Sequence, residues 1–270
     1  MVQHRRLDAE LVRRKIARSR EQARQLITEG HVFVGGFKAS KPATGVTGDV
    51  SIRVEGEIDD YASRGAHKLL GALEAFEPQG LDLAGKKILD AGASTGGFTD
   101  VCLRHGAREV VAADVGYGQL IWRLQNDDRV TVLDRTNIRY ITPELTGEPC
   151  DMMVGDLSFI SLRLCLPPII GCLSEGADLL PMVKPQFEVG KDRLGHGGVV
   201  SSPELRAEVT VDIALFAQEL GVGLRDVVAS PLPGPSGNVE YFLWLTRGSE
   251  PIAEDQVVKL VRKAVEEGPQ

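Results

Sequence analysis

The sequence has few aromatic residues, no long hydrophobic run and no apolar segment at its start. Aromatic side chains make up 5% of the residues, and the longest apolar stretch, 164–173, is interrupted by two prolines and a glycine. A membrane-spanning helix needs about 20 consecutive apolar residues, so none is expected. The opening residues, MVQHRRLDAE, lack the hydrophobic core of a signal peptide. We therefore expect a cytoplasmic protein that does not enter a membrane.

Cysteine and histidine show no spacing typical of a metal site. The four cysteines form no C-x-x-C pair, and each lies in an apolar segment. This is typical of buried free thiols in a reducing compartment. We expect no metal site. The cysteines are Cys102, Cys150, Cys165 and Cys172.

The charge is unevenly distributed along a chain long enough for one large domain and a small one. The net charge is −7, but residues 1–42 hold ten basic and four acidic side chains. The remaining residues hold 21 basic and 34 acidic side chains. A basic N-terminal segment on an acidic body indicates that this segment binds a polyanion.

The basic segment has the pattern of two helices and a hairpin. Apolar spacing predicts a helix over 6–17, and Ser19, with capping-box spacing to Gln22, predicts the start of a second helix. Arg20 and Arg24 lie four residues apart, so they share one face of that helix. Residues 31–34 alternate like a strand, Gly35-Gly36 predict a turn, and 50–54 predict another strand.

The first 60 residues contain a recognisable pattern of positions, which are Arg6-Leu7-Asp8, Leu11, Ser19-Arg20, Ala23, Ile27, Gly30, Val32, Val34 and Gly36. In this pattern the segment resembles the S4-like RNA-binding domain, a small α+β module. The resemblance implies that the arginine-rich face binds structured RNA through phosphates, with a strong dependence on salt. The alternative is a solvated basic face without a ligand. The candidate RNA-binding residues are Arg6, Arg14, Arg18, Arg20, Arg24 and Lys41, with Arg64 from the following segment.

Residues 90–100, DAGASTGGFTD, follow a predicted strand and open a predicted helix. Glycines allow a ligand close to the backbone, and the helix directs free N–H groups towards it. The next predicted strand ends in Asp114, where an acid can accept the hydroxyls of a ribose. The turn lacks the second glycine of the dinucleotide fingerprint, and Asp90 suits a cationic ligand. We therefore expect S-adenosylmethionine (SAM) as the cofactor; a glycine-rich turn without a ligand is the alternative.

Alternating strands and helices continue to the end of the chain, which predicts a Rossmann-like α/β domain with a mostly parallel, doubly wound sheet. Strands are predicted at 87–91, 109–114, 130–134, 151–157, 178–184, 224–230 and 240–246, and helices at 66–76, 118–124, 203–220 and 253–267.

Charged residues follow the predicted strands where ligands bind in such sheets. Asp134 is placed to accept a hydrogen bond from the adenine amine. Asp156 and Lys184 lie at later strand ends, and Glu240 begins a late strand. Lys68 lies off the apolar stripe of its helix and by itself predicts a surface lysine, but the four residues could converge on the methyl donor. The candidate cofactor-binding residues are Asp90, Gly92, Ser94, Thr95, Gly96, Gly97, Phe98, Asp114, Asp134 and Asp156.

Six motifs are spread over most of the chain. They are SRGAHKL at 63–69, LDAGASTGGFT at 89–99, DVGYGQL at 114–120, DLSFIS at 156–161, VKPQFE at 183–188 and GPSGNVE at 234–240. With these motifs the whole chain resembles the TlyA family, in which an S4-like domain precedes an FtsJ-like SAM-dependent 2′-O-methyltransferase domain. The resemblance implies methylation of cytidine ribose hydroxyls in ribosomal RNA of the small subunit, and often of the large one. It also implies a catalytic tetrad of Lys68, Asp156, Lys184 and Glu240.

Several features leave alternatives open. The expected organisation is an RNA-binding domain over 1–60, a linker over 61–66 and a methyltransferase domain over 67–270. Some relatives carry an arginine and a tryptophan before SRG, where this chain has Asp59-Asp60-Tyr61-Ala62. Lys184 is either a general base or a positioning group, and the glycine-rich segment 184–200 is either a mobile loop over RNA or a plain surface loop. Rival functions are a non-catalytic RNA-binding factor, a small-molecule methyltransferase and, because relatives carry the label haemolysin, a membrane-lytic protein.

Overall fold

The chain folds into two compact units, Met1–Asp60 and Tyr61–Gln270. The computed structural model describes residues 4–17, 19–55, 60–234 and 236–269. Within these ranges, no helix has the length and apolar character needed to cross a membrane.

The smaller unit packs two helices against short antiparallel strands around an apolar core that includes Leu7, Leu11 and Ile27. Strand β2 is central in a three-stranded sheet of order β3-β2-β5, and β1 pairs with β4. The elements are β1 Arg5–Arg6, α1 Leu7–Arg13, α2 Arg20–Thr28, β2 Val32–Val34, β3 Phe37–Lys38, β4 Gly45–Val46 and β5 Ile52–Val54.

The predicted start of the second helix and the predicted glycine turn are both confirmed in the smaller unit. Ser19 caps α2 by accepting a hydrogen bond from the Gln22 amide at 3.1 Å. The glycine pair between β2 and β3 forms the predicted turn. The predicted first helix is too long, because the chain leaves the helix after Arg13 through Lys15, whose φ of 59° is left-handed. The amide of Ile16 then bonds back to the Leu11 carbonyl.

The larger unit is built on a seven-stranded sheet of order β11-β12-β10-β9-β6-β7-β8. Strands β8, β7, β6, β9 and β10 are parallel, whereas β12 runs antiparallel to both β10 and β11. This confirms the predicted mostly parallel sheet. The strands are β6 Lys87–Ala91, β7 Glu109–Ala113, β8 Val130–Leu133, β9 Cys150–Gly155, β10 Leu173–Val183, β11 Val222–Ala229 and β12 Tyr241–Arg247.

Helices cover both faces of this sheet, as expected for a doubly wound fold. One apolar layer lies beneath α3 and α4, and the other beneath α7, α9 and α10. All four cysteines are buried free thiols, as predicted. The helices are α3 Ala66–Phe76, α4 Gly97–Arg104, α5 Trp122–Gln125, α6 Pro143–Thr146, α7 Leu162–Gly171, α8 Pro185–Glu188, α9 Pro203–Glu219 and α10 Glu254–Glu267.

One predicted helix, at 118–124, is largely wrong. Only residues from Trp122 onward are helical, and Gly118 has a left-handed φ of 62°. The Gly118 amide donates to the Asp134 carboxylate instead of to a helical carbonyl. A side-chain acceptor on the next strand therefore holds this segment as a loop at the carboxyl edge of the sheet.

Candidate active site

The glycine-rich turn after β6 is shaped by close backbone contacts. Gly92 has a φ of 88°, and a Cβ atom there would lie 3.0 Å from the backbone oxygen of Asp156. A Cβ on Gly97 would clash with Ser63 Oγ and lie 2.9 Å from the Ala66 amide nitrogen. Glycine at these two positions therefore lets the loop after β9 and the start of α3 approach the turn.

Two acids at the ends of β7 and β8 accept hydrogen bonds from neighbouring loops. Asp114 accepts from the amides of Ser94 at 2.8 Å and Gly116 at 2.7 Å. Asp134 accepts from the Gly118 amide at 3.1 Å. Both carboxylates are half-buried, and β7 and β8 are adjacent. The acids predicted for ribose and adenine thus lie at neighbouring strand ends. Asp114 also holds the glycine-rich turn, and Asp134 holds the loop after β7.

Asp90 lies at the end of β6, completely buried. Its Oδ2 accepts from the Thr99 hydroxyl at 2.6 Å, whereas its Oδ1 has no hydrogen-bond partner among the described residues. Burial raises the pKa of this carboxyl to about 7. An unpaired buried acceptor together with two further carboxylates fits a ligand that carries positive charge and ribose hydroxyls, as SAM does.

The remaining predicted cofactor residues differ in exposure. Ser94 is exposed, Thr95 is half-buried, and Gly96 and Gly97 are buried. Phe98 is only 4% exposed and packs on Phe242, with ring centroids 6.0 Å apart. The Phe98 side chain therefore lies in the apolar core, where it supports the glycine-rich turn.

The structure brings the four predicted tetrad residues together. Lys68 Nζ lies 2.7 Å from Glu240 Oε2 and 3.3 Å from Asp156 Oδ2. Lys184 Nζ lies 2.5 Å from Asp156 Oδ1 and 3.9 Å from Glu240 Oε1. The two ammonium groups thus share two carboxylates, and each lysine contacts both acids.

Three of the four tetrad residues are buried, and the side chain of the fourth, Asp156, is 24% exposed. Glu240 is fully buried, Lys184 is 5% exposed and Lys68 is 8% exposed. The prediction of a surface Lys68 is wrong, because α3 presses its first turn against Gly97 and aims the lysine at the two acids. Burial opposes the charge of Lys68, but Asp156 and Glu240 outweigh this effect and raise its pKa above the ordinary value. Lys68 is therefore a permanent positive charge at neutral pH.

Sequence reasoning assigned no role to several polar neighbours of the tetrad. Lys184 Nζ donates to Ser158 Oγ at 2.7 Å, and Gln186 Nε2 donates to Glu240 Oε1 at 3.2 Å. Glu188 accepts from the Ser161 hydroxyl at 2.6 Å and ties the loop after β9 to the loop after β10. All four lie inside the DLSFIS and VKPQFE motifs, so their position in those motifs was the available signal.

Asn238 holds the end of the glycine-rich segment. Its Oδ1 accepts from the Val200 amide at 2.9 Å, and its Nδ2 donates to the Gly198 carbonyl at 2.9 Å. The loop that carries Asn238 leads directly into Glu240. The segment 184–200 is therefore anchored beside the tetrad at its far end, and its closure over RNA stays a prediction.

The candidate RNA-binding residues fall into distinct environments. Arg6, Arg20 and Arg24 all contact Asp8 in the smaller unit. Arg14 instead directs its guanidinium at Glu10 and at backbone carbonyls near β5, including Val50 O at 2.7 Å. Lys41 of the smaller unit and Arg64 of the larger unit are exposed, and Arg18 lies outside the described residues.

The start of the larger unit is held against α4. The Ala62 amide donates to Asp100 Oδ2 at 2.8 Å, and the Arg104 guanidinium lies 4.3 Å from the Tyr61 ring centroid. Asp59, which belongs to the altered linker, lies outside the part of the chain that the structure describes. Across the described ranges, no group of three or more histidine, cysteine or acidic residues could hold a metal ion.

Comparison with known proteins agrees with this geometry. The FtsJ-like methyltransferase family matches residues 61–247, and the S4 domain matches residues 5–52. The 16S/23S rRNA (cytidine-2′-O)-methyltransferase TlyA of Mycobacterium tuberculosis is 55% identical over the full length of both chains. A solved structure from Streptococcus thermophilus, described as a hemolysin, is 33% identical, with a TM-score of 0.74 over 99% of this chain and 98% of that one.

A more distant structure shares the fold alone. A methyltransferase from Listeria monocytogenes, described as S-adenosylmethionine dependent, is 13% identical, with a TM-score of 0.50 over 67% of this chain and all of that one. The matches to the two families and the full-length identity agree with one another. The chain belongs to the TlyA family of FtsJ-like methyltransferases and carries an N-terminal S4 domain.

Proposed function

We propose that the protein transfers a methyl group from SAM to the ribose 2′-hydroxyl of a cytidine in ribosomal RNA. The observation that carries this proposal is the tetrad. Lys68 lies in α3, Asp156 and Lys184 directly follow β9 and β10, and Glu240 directly precedes β12. Their alternating charges form one largely buried group beside the glycine-rich turn. A core that only needed stability would gain little from two buried lysines and two acids, because their desolvation offsets most of the attraction.

SAM fits the residues at the neighbouring strand ends. Asp114 and Asp134 would accept hydrogen bonds from the ribose and adenine, and Asp90 would face the positively charged methionine part. Phosphate groups would meet carboxylates there, so a dinucleotide does not fit. When bound, SAM supplies an activated methyl group on a sulfonium.

The tetrad acts on the nucleophile. A ribose hydroxyl attacks poorly unless it is aligned with the methyl group and gives up its proton as the new bond forms. Lys184 is the residue that contacts the 2′-oxygen, because its Nζ also reaches Ser158, an exposed residue that marks the open side of the tetrad. The 2′-oxygen would take the methyl group that bound SAM supplies, with the sulfur leaving as a neutral thioether, and the hydroxyl proton would pass to a carboxylate of the tetrad.

The other tetrad residues hold Lys184 in place. Lys68 stays protonated and neutralises Glu240, while Asp156 bridges both lysines. Burial of Glu240 keeps water away from this side of the group. The tetrad therefore offers the hydroxyl a fixed donor and nearby acceptors without rearrangement during the reaction.

The S4 domain supplies the RNA contact in this proposal. Its exposed arginines and Lys41 suit the phosphates of a folded RNA, and a basic surface makes such binding sensitive to salt. A ribosomal substrate also places the reaction in the cytoplasm, where ribosomes are assembled. The relative from Mycobacterium tuberculosis, named for 16S and 23S rRNA, makes both subunits candidates for the substrate.

The test is transfer of labelled methyl from SAM to unmodified ribosomal subunits and to free rRNA. Lys184→Ala should abolish label incorporation while calorimetry still detects SAM binding. The matched control Lys259→Ala removes an exposed lysine from α10 and should retain full activity. Activity of the Lys184 variant equal to wild type would refute its assigned role. Absence of label in wild type with SAM bound would favour the non-catalytic RNA-binding factor.

A further inference from the structure

Two acidic residues in the basic S4 domain are buried under arginines. Asp8 and Glu10 are both fully buried, although they lie on the most positively charged part of the chain. Buried carboxylates are rare unless cations pair with them. Asp8 and Glu10 are not part of the apolar core of this unit. Their burial beneath the arginine-rich face therefore needs another explanation.

Asp8 gathers arginines from two elements other than its own helix. Its carboxylate accepts from Arg6 of β1 at 3.1 and 3.0 Å, and from Arg20 of α2 at 3.1 Å. Arg24, one turn further along α2, approaches the same Oδ2 at 3.4 Å. The hydrogen bonds from these arginines, that from Arg6 above all, hold the pKa of Asp8 well below its usual range.

Glu10 forms a second cluster of the same kind. It accepts from Arg13 at 2.8 and 2.6 Å and from Arg14 at 2.7 Å, while Arg5 lies 3.8 Å away. Hydrogen bonds from Arg13 and Arg14 lower the pKa of Glu10 to about 2. Both acids therefore stay ionised at any physiological pH, so each cluster has a fixed negative centre.

Most of these arginines remain accessible on their outer side. The side chains of Arg6, Arg20 and Arg24 are 48%, 53% and 57% exposed, and that of Arg13 is 49% exposed. Each has an inner edge on the carboxylate and an outer edge at the surface. Arg14 is the exception, since its side chain is 20% exposed and also bonds to the carbonyls before β5.

We propose that Asp8 and Glu10 are positioning residues, which hold the surrounding arginines in the arrangement that binds the phosphates of ribosomal RNA. The proposal rests on the proposed function, since it assumes that the S4 domain binds rRNA. An exposed arginine loses side-chain freedom when it binds a phosphate. A guanidinium already fixed by a carboxylate has lost much of that freedom beforehand, so its phosphate contact is stronger.

A positioning role for Asp8 predicts a change in rRNA affinity opposite in sign to the change that net charge alone predicts. Removing a negative charge from an RNA-binding surface should strengthen binding if only net charge matters. If Asp8 positions the arginines, Asp8→Asn should instead weaken rRNA binding about tenfold, which corresponds to about 1.4 kcal/mol. Glu21→Gln is the matched control, because Glu21 is an exposed acid on α2 and its neutralisation should leave affinity equal or increase it.

The experiment uses the full-length protein and unmodified ribosomal subunits. Asp8→Asn should raise KM for the RNA about tenfold, with kcat at saturating RNA and SAM affinity close to wild type. Asp8→Glu, which keeps the charge, should recover part of the loss. Equal or tighter binding by Asp8→Asn would overturn the proposal while leaving the proposed function intact. Wild-type protein that does not bind rRNA would overturn both.

A measurement on the wild type covers the case in which Asp8→Asn does not fold. The Nε–H groups of Arg6 and Arg13 donate to the carboxylates at 3.1 and 2.8 Å, so their exchange with solvent, followed by nitrogen-15 NMR, should be slow. Arg53 of β5, whose side chain is 66% exposed, provides the fast-exchanging comparison. Exchange at Arg6 and Arg13 as fast as at Arg53 would show that the carboxylates do not fix these side chains.

Discussion

Replacement of Lys68 by methionine tests how strongly the tetrad is coupled. Methionine keeps most of the side-chain volume but removes the ammonium group 2.7 Å from the fully buried Glu240. The cation that then remains near Glu240 is Lys184, with Nζ 3.9 Å from Oε1. Removing one partner of a buried ion pair costs about 3–5 kcal/mol, because the other charge stays buried and poorly paired.

This cost should appear as a lower melting temperature of the larger unit. One kcal/mol shifts the melting temperature by about 2–4 °C in a unit of this size, so Lys68→Met should lower it by roughly 6–20 °C. Both tryptophans, Trp122 and Trp244, belong to the larger unit. Their fluorescence therefore reports its unfolding without a contribution from the S4 domain.

A double-mutant cycle separates coupling from general damage. Glu240→Gln added to Lys68→Met removes the stranded charge, so the double variant should be more stable than the sum of the single losses predicts. We expect a coupling energy of at least about 1 kcal/mol. Losses that add to within about 0.5 kcal/mol would refute the reasoning, because independent sites behave that way.

Two further predictions concern the cofactor site and the glycine-rich segment. Burial raises the pKa of Asp90 to about 7, so SAM affinity measured by calorimetry should increase from about pH 6 to about pH 8 as the carboxylate forms. Asp90→Asn should remove this pH dependence. A SAM affinity of the wild type that does not change with pH would contradict the prediction. Because this pKa is raised relative to the unfolded chain, Asp90 also makes the ligand-free protein less stable as the pH rises through about 7. Asn238→Ala removes the hydrogen bonds to Gly198 and Val200. Leaving their buried partners unpaired costs about 1–3 kcal/mol, so limited proteolysis should cut residues 190–200 faster than in wild type. An unchanged cleavage rate would contradict the anchoring role of Asn238.

The sheet and the cofactor turn could be predicted because their signals are local. Apolar runs bounded by glycine and acidic residues gave all seven strands of the larger unit to within a few residues, except that β10 begins five residues earlier than expected, at Leu173. The acids at strand ends follow directly from that pattern, since parallel strands end at one edge of the sheet. The conformation at Gly118 could not be predicted from local signals, because it depends on a hydrogen bond to Asp134, which follows β8.

Positions at strand termini indicated Asp156, Lys184 and Glu240, whereas Lys68 could be predicted only from its motif. Lys68 and Glu240 lie 172 positions apart, and no periodicity connects them. The burial of Lys68 depends on the absence of a side chain at Gly97, which lets α3 approach the turn. A residue far along the chain thus decides whether this lysine faces solvent or the active site.

Asp8 and Glu10 show a different reason for a missed residue. In the sequence Glu10 only reduces the positive charge of the N-terminal segment. Asp8 also matches the S4 pattern, but the match assigned it no role. Their importance comes from the folded arrangement, in which α2 and β1 bring arginines to Asp8 from 12 and 16 positions beyond it and from two positions before it. The convergence of these arginines on Asp8 could not be predicted from the sequence, because it depends on tertiary contacts.

The most direct test of the central claim is the chemical identity of the product nucleoside. Unmodified ribosomal subunits would be incubated with the protein and SAM carrying a deuterated methyl group, and the rRNA digested to nucleosides for mass spectrometry. The tetrad account predicts label in 2′-O-methylcytidine, which is lost with Lys184→Ala and retained with Lys259→Ala. Label on a base carbon or nitrogen, or label that persists in Lys184→Ala, would contradict it.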